Sequence, residues 1–163
     1  MITIEKPSDE VNEKALLRFT HKAIKASGVA GDVCILVTSS REMRRLNRCF
    51  RGKDKPTDVI SFPAISVVAG KFAGDLAISL DIARSNARRL GHTTDEELRI
   101  LILHGLLHLA GYDHESDEGE MERKESTLRN KLRLPSSLIA RTEAEPGRAQ
   151  TLGNQKKKVG RLR

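Results

Sequence analysis

The sequence predicts a single α/β (α+β) domain in which a small mixed four-stranded sheet is flanked by about five helices. Three observations carry the prediction. Short β-branched runs alternate with stretches whose apolar residues recur every three to four positions, the mark of strands interleaved with helices. Glycines and Ser/Thr-x-x-Glu boxes punctuate those stretches as helix stops and starts. Residues 98–109 are apolar almost all round, which places that segment at the centre of a layered structure. A chain of 163 residues fits one domain and is long enough to bury a real core, and it contains no internal repeat.

Taken in order, residues 1–5 (MITIE) alternate as a short edge strand does. Residues 9–26 form an amphipathic helix with Val11, Ala15, Leu16, Phe19, Ala23 and Ile24 on one face, stopped at Gly28. Residues 32–38 hold a continuous β-branched run, the pattern of a strand buried on both faces, with Cys34 as a small buried hydrophobe. Ser39 and Glu42 box the start of a helix that runs to Phe50 and turns Met43, Leu46 and Phe50 inward. A polar loop, 53–57, is broken by Pro56. Residues 59–62 and 73–79 read as two strands joined by a connection containing Gly70; their pairing is predicted antiparallel, which makes the sheet mixed. Residues 81–90 are helical up to Gly91, and Thr94 with Glu97 boxes the start of the apolar helix. Ser116 caps a last helix to about Leu132, and Pro135 bars its continuation. This domain spans residues 1–140.

Composition bounds the function. The net charge is +7, and residues 141–163, with seven basic and two acidic residues, supply +5 of it. The Gly, Pro, Lys, Arg, Glu and Gln of this basic C-terminal tail predict disorder, and such a tail serves either as a solvated end or as a non-specific nucleic-acid arm. No apolar run approaches the ~20 residues that span a bilayer, so no membrane is implied. The start of the chain lacks the basic and apolar regions of a signal peptide. Two cysteines, Cys34 and Cys49, form neither a metal motif nor a secreted disulfide scaffold. A cytoplasmic location is the expectation.

The chemistry sits in HGLLHLAGYDH, residues 104–114. His104 and His108, at i and i+4, lie on one face of the apolar helix. Gly111 lets the chain turn back, and His114 follows on the returning loop. With 5 His in 163 residues, chance puts histidines at both +4 and +10 with a probability of roughly 0.005. Three neutral imidazoles converging on one point suit a tetrahedral ion with a fourth position left open, and one Zn2+ per chain is the expected cofactor. Nickel, cobalt and copper share the ligand type. This is a zincin-like three-histidine frame, yet the metzincin protease pattern H-E-x-x-H-x-x-G-x-x-H carries a glutamate general base where this chain has Gly105. The metal frame resembles a protease's; the base is missing.

At its fixed positions HGLLHLAGYDH resembles the H-G-x-L-H-L-x-G-Y-D-H signature of the YbeY family, zinc-dependent single-strand-specific endoribonucleases regarded as rRNA maturation factors. LNRCFRGKDKPTDVISFP is similar to a second block of that family, with Ile60 where leucine is usual, and GDLAIS, residues 74–79, is similar to a third. The resemblance covers roughly residues 30–130 in the right order. It implies a small mixed sheet flanked by helices, single-stranded RNA as substrate, maturation of the 16S rRNA 3′ end and ribosome quality control as the setting, and the small ribosomal subunit as a partner.

Arg51, Lys53 and Lys55 are three cations within five residues, on a loop held by Pro56. Arginine binds phosphate bidentately, although charge alone is equally served by a solvated loop. In the family the arginine matching Arg51 is regarded as needed for RNA cleavage, so the resemblance implies Arg51 as phosphate binder and transition-state stabiliser, with Lys53 and Lys55 as substrate-binding helpers. Asp58 and Asp113 are candidates either for orienting a ligand histidine or for holding a turn. His21 and His92 have no ligand spacing. The expected chemistry is metal-assisted phosphodiester hydrolysis, the ion polarising a phosphate oxygen or lowering the pKa of its water towards ~7. Whether hydroxide or the RNA 2′-OH attacks stays open. With one Tyr and no Trp to stack bases, base specificity is expected to be weak. Two other readings are a zinc metalloprotease-like hydrolase, opposed by Gly105, and a non-catalytic RNA-binding ribosome-assembly factor with a structural metal.

Overall fold

A computed structural model describes residues 1–5, 8–65 and 71–135. Within them the chain forms β1 (Ile2–Ile4), α1 (Glu13–Ser27), β2 (Asp32–Thr38), α2 (Ser40–Arg51), β3 (Val59–Pro63), β4 (Phe72–Ser79), α3 (Leu80–Leu90), α4 (Thr94–Leu109) and α5 (Glu120–Leu132). The sheet order is β1-β2-β4-β3. β1 and β4 each pair parallel with β2, and β3 runs antiparallel to β4, with Val59 opposite Ile78 and Pro63 opposite Gly74. The sheet is therefore mixed, as its pattern predicts. The Gly70 connection and the basic tail lie outside the described residues.

α4 occupies the centre. Leu98, Ile100, Leu101, Ile102, Leu103, Leu106 and Leu107 are all 0% exposed, so the helix is covered on every side. One side packs on Leu16, Phe19 and Ala23 of α1 and on Val33, Ile35, Leu76 and Ile78 of the sheet. Its Leu103 and Leu107 meet Met121 and Leu128 of α5. Each such side chain stabilises the fold by about 1.5–3 kcal/mol relative to exposure, which is why α4 is the most firmly held element available to carry a site. Among the described residues, no helix is long and apolar enough to cross a membrane.

The sheet's second face is covered only in part. Among the described residues, Met43 of α2 packs on Ile60 and Ala77 with Leu46 and Phe62 beside them, and little else seals that side. Consequently Cys34 and Leu36 are half-buried, against the expectation of a strand buried on both faces, while Val33, Ile35 and Val37 on the α4 side are buried. Phe50, expected inward, is 67% exposed and meets Phe62 in a T-shaped contact, at a centroid distance of 5.2 Å.

Three helix starts differ from the pattern. α1 begins later, at Asn12, whose side chain accepts from the Ala15 N–H. The capping box of α4 is Thr93 with Glu96, one residue before the expected Thr94 and Glu97. The stretch T-T-D-E-E satisfies the box in two registers, and burial decides between them: Glu97 is 0% exposed and turned inward, leaving Glu96 to cap. For α5 the capping oxygen belongs to Asp117, which accepts from the N–H groups of Gly119, Glu120 and Met121, not to Ser116.

Candidate metal centre

The three histidines meet. Their ligating nitrogens all lie within 4.8 Å of one another, with Nε2 of His104 and Nε2 of His108 3.2 Å apart. His104 and His108 project from successive turns of α4, the first buried and the second half-buried. His114 is exposed and is delivered by a tight reversal. The Tyr112 N–H donates to the Leu107 carbonyl and the Gly111 N–H to that of His108, the paired bonds of a Schellman motif. Gly111 sits at φ +95°, a conformation side-chain-bearing residues rarely adopt, and Tyr112 packs back on the Leu103–Leu107 cluster. The turn is thus welded to the helix end.

One carboxylate orients the site. Glu125 of α5, 0% exposed, accepts from Nδ1 of His104 at 2.9 Å, and its other oxygen accepts from Nε of Arg129 at 2.9 Å. Nη1 of Arg129 in turn donates to the Pro135 carbonyl. A buried carboxylate accepting at Nδ1 keeps the proton there, so the His104 Nε2 lone pair faces the other imidazoles. Sequence reasoning missed Glu125. Its signal is an acid–base pair, Glu125 and Arg129, set into the inward stripe of an otherwise amphipathic helix that carries Met121, Leu128 and Leu132.

Asp58 and Asp113 take the other of their two expected roles and hold turns. Asp58 accepts from the Val59 N–H and the Thr57 hydroxyl, and Asp113 from the Glu115 N–H and the Ser116 hydroxyl. Those bonds, first of all the one from the Glu115 backbone, hold the Asp113 carboxyl below its ordinary range. His92, which has no ligand spacing, fastens the α3–α4 corner: its Nε2 lies 2.6 Å from the buried Glu97 carboxylate, which also accepts from Asn86.

Electrostatics favour a neutral His108. Burial, and then the neighbouring His104 and His114, push the His108 pKa down from 6.5 to about 4. At neutral pH its nitrogen therefore offers a lone pair rather than a proton. The cluster opens into a cleft of about 1030 Å3 whose wall includes Arg51 and Lys53. Arg51 is the last residue of α2, and Lys53 follows the Gly52 cap. Lys55 does not line that cleft; its carbonyl accepts from Asn47 and its side chain is exposed.

The position after His104 has a packing reason to be glycine. A Cβ at Gly105 would stand 2.9 Å from Cδ2 of Leu76 and 3.3 Å from Cγ2 of Val59, both side chains of the core, and the Gly105 carbonyl accepts from the Ser61 hydroxyl. Helix and sheet touch here, so a side chain at the place where a metzincin carries its base would have to push the methyl groups of Leu76 and Val59 aside. The donor set, three convergent imidazoles with one side open to a cleft, can hold a metal ion.

A family model described as Endoribonuclease YbeY matches residues 2–133. A curated relative from Koribacter versatilis, named Endoribonuclease YbeY, is 63% identical over 142 residues, covering 87% of this chain and 91% of that one. Another of that name, from Nautilia profundicola, is 51% identical over 112 residues, covering 69% of this chain and 80% of that one. A solution structure of a Thermotoga maritima protein superposes with a TM-score of 0.57 at 28% identity, covering 95% of this chain and all of the other.

Proposed function

The chain belongs to the endoribonuclease YbeY family and is by that membership an enzyme that cuts RNA; on that premise we propose that it is a zinc-dependent, single-strand-specific endoribonuclease of the cytoplasm. Its target is ribosomal RNA, at the 3′ end of 16S rRNA on the small ribosomal subunit, in maturation and quality control. One observation carries the reading: His104, His108 and His114 converge in the same cleft that Arg51 and Lys53 line. His-rich frames with an open position suit zinc, and the 3.2 Å between the two Nε2 atoms is close to the roughly 3.4 Å edge of a tetrahedron with Zn–N near 2.05 Å.

Each residue has a task. Glu125 fixes the ring orientation of His104 so that its Nε2 faces the ion, and burial keeps His108 neutral, so His108 presents a lone pair without a proton to displace. When bound, zinc supplies Lewis acidity towards the phosphate and activates the nucleophile. Arg51, planar and always charged, binds the scissile phosphate and stabilises the charge that grows on its oxygens. Lys53 helps on the cleft wall, and Lys55 adds to the positive field from outside it. Residues 1–140 carry the activity, with 141–163 as a basic arm for non-specific phosphate contact.

Wild type, His114→Ala and Arg51→Ala, each with metal content measured, are compared on single-stranded RNA and on casein. Wild type is expected to hold about one zinc and cut RNA only. His114→Ala, altered at an exposed residue, loses metal and cutting, whereas Arg51→Ala keeps metal and loses cutting. Casein cleavage without RNA cleavage overturns the nuclease reading, and full activity in Arg51→Ala removes that residue from catalysis.

A further inference from the structure

The positive charge of the folded domain is concentrated in one place. Residues 41–55 hold seven cations and two carboxylates, a net +5, whereas the rest of residues 1–140 holds 15 cations and 18 carboxylates, a net −3. Five of the seven are arginines of α2, and that helix has no lysine. Arg41, Arg44, Arg48 and Arg51 follow one another at spacings of three, four and three, so they form one ridge on the exposed side of α2. All four are exposed, the side chains of Arg44 and Arg48 by 56% and 64%. The ridge extends about 15 Å along the helix. Its last member, Arg51, is the one on the wall of the histidine cleft.

The His114 end of the cleft has the other sign. Residues 113–122, which follow the Gly111 turn, hold six carboxylates and no cation, and Asp113 and Glu115 face the cleft. A polyanion lying across the histidines is drawn out along α2 and repelled from the His114 side. We propose that the arginine ridge of α2 is a phosphate track that holds single-stranded RNA on one side of the bond being cut, the strand running from Arg51 past Arg48 and Arg44 to Arg41. This rests on the ribonuclease reading above and adds the direction from which the substrate is gripped.

The ion pairs on the ridge do not block it. Arg44 is held bidentately by Asp54 at 2.9 and 2.8 Å, and Arg45 by Glu42. A bidentate pair uses two of the five guanidinium donors, and pairs this exposed are weak enough for a phosphate to compete with them. Arg41 has no carboxylate partner among the described residues, and Arg48 only reaches Asp54 at 4.0 Å. Arginine throughout, rather than a mixture with lysine, matches the planar, bidentate geometry of phosphate recognition.

The test is an Arg41→Gln/Arg48→Gln double variant, which leaves the bidentate Arg44–Asp54 and Arg45–Glu42 pairs and Arg51 in place. Zinc content and thermal melting establish that it is folded, and Lys14→Gln/Lys22→Gln on α1 serves as a charge-matched control. Binding to a 2′-O-methylated strand of about 20 nucleotides, longer than common single-strand footprints, is followed against salt, and KM and kcat are measured on the unmodified strand. The expected result is a slope of log K against log salt shallower by about 1.4, two contacts at ~0.7 each. KM rises about tenfold near physiological salt while kcat holds, and the loss is greater for strands extended on one side of the cut than on the other. The control pair gives a smaller change than the ridge pair. A slope and KM equal to wild type, or an equal loss in the control, overturns the track while the nuclease reading stands. A wild type that neither binds nor cuts single-stranded RNA overturns both.

Discussion

The residue that ties the candidate centre to the rest of the chain is Glu125, which touches a ligand histidine with one oxygen and Arg129 with the other. Outer carboxylates of this kind raise ligand basicity and fix ring orientation, and losing one costs about 10–100-fold in metal affinity. Glu125→Gln is close to isosteric but exchanges the carboxylate for a neutral amide, so chelator competition should show zinc held about 10–100-fold less tightly. An unchanged dissociation constant would mean that packing alone orients His104. The three ligands were legible because their spacing, 4 and 6 residues, is short enough to read from periodicity and one glycine. Glu125, 21 residues beyond His104, was not, because its partnership exists only once α5 has docked on α4.

Helices α2 and α4 were easy to place, since each opens with a Ser/Thr-x-x-Glu box, but a box can be written in more than one register. For α4 the Thr93 hydroxyl accepts from the Glu96 N–H and the Glu96 carboxylate from the Thr93 N–H. Thr93→Ala should destabilise the protein by about 1 kcal/mol at neutral pH, measured by urea unfolding, whereas Thr94→Ala, the register first expected, should cost less. The backbone and side-chain bonds from Thr93 lower the Glu96 pKa below its ordinary 4.5. A depressed carboxylate stabilises the fold above its unfolded pKa and loses that contribution as pH falls through the folded value. The penalty of Thr93→Ala should therefore shrink once the solution is more acidic than that value, and a penalty constant with pH would disprove the bond from the Thr93 hydroxyl to the Glu96 carboxylate. Phe50 shows a different limit of pattern reading. Periodicity assigns a residue to the sheet-facing side of a helix, but not whether that helix extends far enough over the sheet to cover it.

At the scale of the molecule, mixed-sheet topology and a central helix were predictable from alternation and an unbroken apolar segment, and the layering that follows is what the chain adopts. The unequal cover of the two sheet faces was not predictable, because a β-branched run looks alike whether one layer or two lie against it. The whole fold also responds to the protonation of its metal centre. His108 remains neutral down to about pH 4 in the folded chain but protonates near 6.5 when unfolded. Between these values only the unfolded form takes up the proton, so the metal-free protein loses stability as pH falls from 6.5 towards 4, with no further loss from this group below that. Chelated wild type should accordingly show a steeper fall in unfolding free energy between those pH values than chelated His108→Gln; parallel curves would assign the acid sensitivity elsewhere. Finally, the contact of Gly105 with Leu76 and Val59 has an evolutionary meaning. Peptidases built on this histidine spacing are one codon's meaning away in sequence, but the step presses on the methyl groups of Leu76 and Val59. A lineage or a protein engineer seeking that activity must therefore have Leu76 and Val59 repack in the same move, so drift at position 105 towards a carboxylate is coupled to the side chains of the sheet beneath it.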